Sequence, residues 1–209
     1  DISLSIGSPN ACTQCHEDKS DAWAYDALQA WGVNSRFQDL NLAKARYSAD
    51  RGDLRALPTL ESLIADDSQS NLMRASIIEQ LGNLGSRQLP SAAAMLLRSD
   101  SPVVRASAVR ALRSVEPVQR YLMLRPFIKD TNLTVRMEVA QLLAGISASE
   151  LRPQDIADIE PLFEEYLAVQ SDHLDMPSVQ LQIANFWIDR GDSTKAVSYT
   201  HLTLPTTGS

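Results

Sequence analysis

The strongest constraint on the fold is a repeat period in the middle of the chain. Arg74, Arg105 and Arg136 are spaced by 31 residues. Two apolar columns keep the same spacing: Leu81, Leu112 and Leu143, and Ile78, Val109 and Ala140. A period shared by several columns indicates a repeat architecture, in which each unit buries its apolar face against its neighbours.

Each repeat is predicted to be a pair of helices joined by a polar turn that contains aspartate. The predicted pairs are 56–65 with 71–81, 90–98 with 102–112, and 119–129 with 133–144. Ser101 before Pro102 is a typical helix start, and residues 130–132 are expected to open the last helix. Pro126 is expected to kink its helix. Three glycines are expected just past helix ends: Gly82, Gly85 and Gly145.

These pairs resemble HEAT-type repeats in the short form of PBS-lyase-like proteins. The resemblance covers about residues 38–147 and rests on Asp100…Val104-Arg105-x-x-Ala108, Asp130…Val135-Arg136-x-x-Val139 and Asp67…Met73-Arg74-x-x-Ile77. It implies an all-α fold, an α-solenoid of HEAT-type helical pairs, which a half-repeat at 40–48 is expected to start. We call Arg74, Arg105 and Arg136 the arginine ladder, because each can pair with an aspartate of its own or the neighbouring repeat. The alternative is that these arginines bind a ligand.

The only two cysteines of the chain, Cys12 and Cys15, are followed directly by His16. This spacing is typical of c-type haem attachment. Two thiols on one helical turn can each add across a vinyl group of the same porphyrin, and the adjacent imidazole can then bind the iron. We therefore predict covalent haem c as the cofactor. Cys12 and Cys15 would be its anchors and His16 the proximal ligand of the haem iron.

Three other interpretations of the two cysteines are open. A redox dithiol usually opens a helix in a βαβ unit, which the sequence does not indicate. A zinc site needs four ligands, and no second cluster of cysteine and histidine appears. A disulfide would close too small a loop to stabilise the fold much. We therefore prefer the haem interpretation.

The segment around the cysteines is predicted to contain a loop at 1–11 and a helix start at 17–21. The helix should end at Gly32. Its apolar face is formed by Trp23, Ala27, Ala30 and Trp31. This face contacts either the haem or the helical repeats, and the sequence leaves both possibilities open.

The C-terminal part is predicted to contain an amphipathic helix at 153–169 and a second helix that begins at Pro177. The run Leu181…Ala184…Trp187…Gly191-Asp192…Lys195-Ala196 resembles the first helix and turn of a tetratricopeptide repeat. Residues 197–209 are similar to a peptide encoded by a sequencing adapter. We expect them to be a non-native tail that breaks the helix.

Composition and charge argue against several classes of protein. The formal net charge of −7 argues against nucleic acid as a partner. No apolar run is long enough for a membrane span. No Ser/His/acid constellation and no paired carboxylates appear, so this chain is not predicted to be an enzyme itself, although a longer parent could be an oxidoreductase.

The order of these features resembles exported multihaem c-type cytochromes with HEAT and tetratricopeptide tails. The resemblance runs from Pro9-Asn10-Ala11 through the cysteine motif and Trp23 to about residue 196. It implies a C-terminal fragment that carries the last haem site, although the family has several such sites and this chain has one. Because c-type haem is attached outside the cytoplasm, a periplasmic or otherwise exported location is expected.

Four segments are therefore predicted: a haem-attachment segment at 1–36, HEAT-type repeats at 37–150, a helical region with a tetratricopeptide start at 151–196, and the tail at 197–209. The predicted function is electron transfer. The repeats would dock a redox partner protein or an upstream haem domain. The alternative is a protein-interaction scaffold of HEAT/tetratricopeptide type whose haem motif is unloaded.

Overall fold

The protein is described by a computed structural model, which covers residues 2–32 and 40–200. Within these ranges the chain is helical and contains no β-strand, so the predicted all-α fold class is confirmed. The chain divides into unit 1, Asp1–Leu89, and unit 2, Pro90–Ser209. In chain order the α-helices are α1 (Ile2–Ile6), α2 (Ala11–Cys15), α3 (Asp21–Ala30), α4 (Leu40–Asp50), α5 (Leu57–Leu63), α6 (Asn71–Asn83), α7 (Leu89–Leu96), α8 (Pro102–Ala111), α9 (Pro117–Leu124), α10 (Leu133–Ala144), α11 (Pro153–Ser171), α12 (Pro177–Asp189) and α13 (Ser193–Thr200).

Unit 1 is built around α4, which packs against α1, α5 and α6. Its largest fully buried side chains are Leu60, Ile77, Ile78 and Leu81. Gln80 of α6 is also buried: its amide donates to Asp50 Oδ1 at 2.7 Å, and its carbonyl oxygen accepts from Arg46 Nε at 3.2 Å. The prediction of a loop at 1–11 is wrong in part, because Ile2–Ile6 form α1.

Unit 2 consists of successive helices that pack side by side. Helix α10 contacts α8, α9, α11 and α12, and α12 in turn packs against α13. Leu112 and Leu143, which share the predicted apolar column, are 0% and 1% exposed. Leu81 occupies the same column in unit 1 and is 1% exposed. The predicted core column is therefore confirmed, as expected for repeats that bury the same position in each unit.

The arginine ladder is structural, as predicted. Arg105 of α8 donates from Nε and Nη2 to the two carboxylate oxygens of Asp130, both at 2.9 Å. Its Nη1 also donates to the carbonyl oxygen of Ser99 at 2.8 Å. Arg136 of α10 repeats the arrangement, with Nε donating to Glu165 of α11 at 2.8 Å and Nη1 donating to the Asp130 carbonyl oxygen at 2.7 Å. Each arginine thus ties one helical pair of unit 2 to the next.

The first member of the ladder pairs within its own repeat. Arg74 is buried, and its Nη1 lies 2.9 Å from Oδ1 of Asp67. Its Nε donates to the carbonyl oxygen of Ile64 at 3.4 Å. The Asp67 side chain is 89% exposed, whereas that of Asp130 is 8% exposed. We infer that the Arg74 pair contributes less than the Arg105 pair, because solvent screens an exposed carboxylate.

Helix boundaries agree with the sequence in part. Helix α10 spans the predicted residues 133–144. Pro126 does not kink a continuous helix: α9 ends at Leu124, and Arg125–Phe127 form a 3₁₀ turn, because proline cannot donate the backbone hydrogen bond that would continue α9. Gly82 lies inside α6 rather than past its end. Gly85 does follow that helix end, with φ of +68°.

The C-terminal helices extend further than predicted. Helix α11 runs from Pro153 to Ser171 and α12 begins at Pro177. The expected break at Val197 is wrong, because α13 continues to Thr200. Residues 201–209 of the predicted tail and the predicted boundary between 36 and 37 lie outside the described residues. Helices α12 and α13 form a hairpin, while the tetratricopeptide assignment stays a prediction.

Candidate functional site

The two cysteines lie on α2, a helix of little more than one turn. Asn10 is its N-cap, and the Asn10 side chain accepts a hydrogen bond from the Cys12 amide at 3.0 Å. His16 is the C-cap residue, and its amide donates to the Cys12 carbonyl oxygen at 2.9 Å. A helix this short is unstable in isolation, so the cap is needed to hold the cysteines in one helical turn.

Helix α3 supports the same segment through a side-chain contact. The Thr13 hydroxyl lies 3.2 Å from Oδ1 of Asp21, the first residue of α3. The N-cap of α3 is Ser20, whose hydroxyl accepts from the Trp23 amide at 3.2 Å. Sequence reasoning missed the contact between Thr13 and Asp21. Neither a motif nor a period relates these two residues, because their approach depends on the turn between α2 and α3.

The structure brings the three predicted site residues together. Cys12 and Cys15 are free thiols; Cys12 is half-buried, and Cys15 is exposed. The His16 side chain is exposed as well. Two thiols on one helical turn with an adjacent accessible imidazole are the groups that attach a haem covalently and bind its iron from one side. The residues present therefore fit haem c.

Trp23 is the aromatic neighbour of the histidine. The ring centroids of His16 and Trp23 are 5.0 Å apart, and the ring planes are tilted by 57°. Trp23 is half-buried on the first turn of α3, and its indole lies beside the imidazole. Trp23 thus lies beside the cysteine motif, and its contact with haem stays a prediction.

The rest of the predicted apolar face of α3 is confirmed only in part, because Ala27 is half-buried. Ala24 is the buried residue of this helix, whereas Trp31 is 72% exposed and Ala30 is also exposed. Helix α3 carries apolar residues on several sides, so periodicity alone does not select the face that packs.

Two of the three alternatives to haem gain no support from the geometry, whereas two free thiols on one helical turn also fit a redox dithiol. A zinc site would need several ligands in one place, and no group of three or more His, Cys, Asp or Glu side chains able to hold a metal ion occurs within residues 2–32 and 40–200. The two cysteines are not joined in a disulfide.

No helix in the described part of the chain is long and apolar enough to cross a bilayer.

Comparison with known proteins gives one family match. No curated protein and no solved structure matches the chain. Residues 25–113, which include α4 to α8, match the family of HEAT repeats. The all-helical structure and this match show that the fold is an α-solenoid with HEAT-type helical pairs.

Proposed function

We propose that this chain is a scaffold on which a partner protein docks, and that haem c attached to its N-terminal segment makes it an electron-transfer protein. The observation that carries the scaffold function is the repeated pairing in unit 2, where Arg105 and Arg136 each fix one helical pair to the next. HEAT repeats stacked in this way form extended binding surfaces, because each repeat contacts only its neighbours.

Selection of displayed peptides on the immobilised chain tests the scaffold function. We expect peptides to be enriched relative to an unrelated helical protein of similar charge. Single substitutions at exposed positions of the helical pairs should weaken the binding of the selected peptides. If no peptide is enriched above that reference protein, the scaffold function is wrong.

The second function, electron transfer, is favoured by the geometry of the cysteine motif. Cys12 and Cys15 would hold the porphyrin through thioether bonds, in which each sulfur bonds to a vinyl carbon and the thiol hydrogen passes to the neighbouring carbon. His16 would bind the iron, and Trp23 would orient the His16 ring. Haem c supplies an iron that takes up and releases one electron at a time.

This function requires a partner and a compartment. The partner would be a redox protein or an upstream haem domain that docks on the helical repeats. Since c-type haem is attached outside the cytoplasm, we propose a periplasmic or otherwise exported location.

A haem stain of a denaturing gel tests the attachment. The chain is exported through a bacterial c-type maturation system, together with Cys12→Ser, Cys15→Ser and Gln14→Ser variants. We expect the wild-type chain and Gln14→Ser to stain, because Gln14 is exposed and lies between the two thiols. Each cysteine variant should lose most of the stain. Equal staining of all four proteins would show that the thiols do not hold the haem.

A further inference from the structure

Unit 2 contains a cavity of about 450 Å³ that none of the sequence patterns predicts. We call it the Arg120 cavity. Its polar lining comes from the turn after α8 and from α9, α10 and α12: Arg113, Arg120, Gln141, Gln182, Asn185 and Asp189. This volume lies in the range of pockets that bind small ligands or short peptide segments.

Arg120 is the most unusual side chain in the cavity. It is 9% exposed, and its Nη1 donates to the carbonyl oxygens of Arg113 at 3.0 Å and Val115 at 3.4 Å. Its Nε has no hydrogen-bond partner among the described residues. Burial lowers the pKa of Arg120 from its ordinary value, and this effect outweighs the attraction of the carboxylates of Glu116 and Asp189.

The neighbouring charges leave Arg120 available to an anion. Arg113 adds a second, exposed guanidinium to the lining, and Asp189 adds one carboxylate. Glu116 and Glu150 also attract Arg120, but both carboxylates cap helix starts. Glu116 accepts from the Gln119 amide at 3.2 Å, and Glu150 accepts from the Ser147 amide at 3.1 Å. Two cations and one carboxylate therefore line the cavity itself.

The amide side chains of the cavity favour a peptide over a small anion. Gln141 uses its Nε2 to donate to Tyr166, and Gln182 uses its Oε1 to accept from Gln170. Gln141 Oε1 and Gln182 Nε2 are therefore left to bind a ligand, as is the exposed amide of Asn185. An extended peptide presents main-chain N–H and C=O groups, which match such amide donors and acceptors.

We propose that the Arg120 cavity binds a carboxylate group of a partner peptide, which pairs with Arg120 and Arg113 while the amides hold the peptide main chain. The carboxylate can come from an acidic side chain or from the C-terminus of the peptide. The proposal rests on the scaffold function and identifies one docking site and the chemistry of its partner.

Fluorescence anisotropy with three dye-labelled probes tests the proposal. The first probe is a peptide of alternating glycine and glutamate with blocked termini. The second replaces glutamate with glutamine, and the third is this neutral peptide with a free C-terminal carboxylate. We expect the first or the third probe to bind about tenfold more tightly than the second, because a charge-assisted hydrogen bond is worth about this factor. Which of the two binds identifies the source of the carboxylate.

Exposed residues supply the variants, so that folding is preserved. Arg113→Gln should weaken the carboxylate probe by about tenfold, and Asp189→Asn should tighten it by removing a like charge. The matched controls are Arg98→Gln and Glu164→Gln, which change the same charges at exposed positions outside the cavity and should leave binding unchanged.

Two outcomes would overturn the proposal: no preference for a carboxylate probe over the neutral one, or equal weakening by Arg98→Gln and Arg113→Gln. If displayed peptides bind the chain but no carboxylate probe is preferred, the cavity proposal fails and the scaffold function stands. If neither binds, the scaffold function fails as well.

Discussion

The hydroxyl of Tyr121 donates a hydrogen bond to Oδ1 of Asp155 at 2.9 Å, and both side chains are almost completely buried. Asp155 also accepts from Arg152 Nε at 2.7 Å and from Nη2 at 2.8 Å. Tyr121 lies on α9 and Asp155 on the first turn of α11. This contact therefore joins two consecutive helical pairs of unit 2 independently of the arginine ladder.

Tyr121 and Asp155 make the free energy of unfolding depend on pH, Tyr121 at alkaline pH and Asp155 at acidic pH. Burial, and then the hydrogen bond to Asp155, raises the pKa of Tyr121 to about 12 from its ordinary value of 10.0. The stability that Tyr121 contributes is therefore complete below pH 10 and is lost as the pH rises towards 12. Hydrogen bonds from Arg152 hold the pKa of Asp155 well below its ordinary value of 3.8, although burial opposes this shift. The stability that Asp155 contributes is present above pH 3.8 and is lost as the pH falls below this value.

Substitution of Tyr121 by phenylalanine should reveal the alkaline part of this dependence. Tyr121→Phe keeps the ring but removes the hydroxyl, and should lower the free energy of unfolding by about 1–2 kcal/mol at neutral pH. The loss of stability between pH 10 and 12 should become shallower than in the wild type. Denaturant unfolding across this range measures both effects, with Tyr25→Phe as the control. An equally steep alkaline loss in Tyr121→Phe and the wild type would contradict the assignment.

Arg105 should be the ladder residue whose loss destabilises unit 2 most clearly. Burial alone would raise the pKa of Asp130, but the hydrogen bonds from Arg105 hold it below its ordinary value. Arg105→Ala leaves this buried carboxylate without its partner and should cost about 3 kcal/mol. Arg98→Ala, at an exposed position, should change the free energy of unfolding by less than about 0.5 kcal/mol. Thermal and denaturant unfolding provide the measurement, and equal stabilities of the two variants would disprove the role of the ladder.

Gln80 should stabilise unit 1 by holding α6 against α4, as Arg105 holds the helical pairs of unit 2 together. Its buried amide bonds to Asp50 and Arg46 of α4, so Gln80→Ala should cost about 1–3 kcal/mol. Hydrogen exchange of the α4 amides should become faster, whereas Gln29→Ala at an exposed position of α3 should leave it unchanged. Unaltered protection of α4 in Gln80→Ala would show that the contact does not hold the helices together.

The sequence predicts the interactions that recur with the repeat period. The spacing of Arg105 and Arg136 identified the ladder, because in unit 2 the same position meets the next helical pair. Its partners were less predictable: Arg136 binds Glu165, a glutamate, where the pattern suggested an aspartate. The contact between Tyr121 and Asp155 could not be predicted, because it occurs once and joins residues far apart in the chain.

The candidate site was predictable where adjacent residues define it. Cys12, Cys15 and His16 are neighbours in the chain, so their spacing alone places them on one turn. The contact of Trp23 with His16 depends on the turn between α2 and α3, and a periodic sequence pattern does not predict the conformation of such a turn. Helix α1 was missed for a related reason, since five residues are too few to show a helical period.

Asn10 should control the shape of the cysteine motif. Asn10→Ala removes the acceptor for the Cys12 amide and should destabilise α2 by about 1 kcal/mol. The amides of residues 12–15 should then exchange faster, whereas Asn10→Asp keeps a capping oxygen and should protect them as well as the wild type does. The same exchange rate in Asn10→Ala and Asn10→Asp would show that the cap does not stabilise α2.

Haem attachment is tested most directly by the intact mass of the denatured chain after export through a c-type maturation system. The wild-type chain should have the mass of the polypeptide plus one haem, and the double variant Cys12→Ala/Cys15→Ala should have the mass of the polypeptide alone. A wild-type chain that is helical by circular dichroism, yet has only the mass of the polypeptide, would contradict the proposal that Cys12 and Cys15 carry haem.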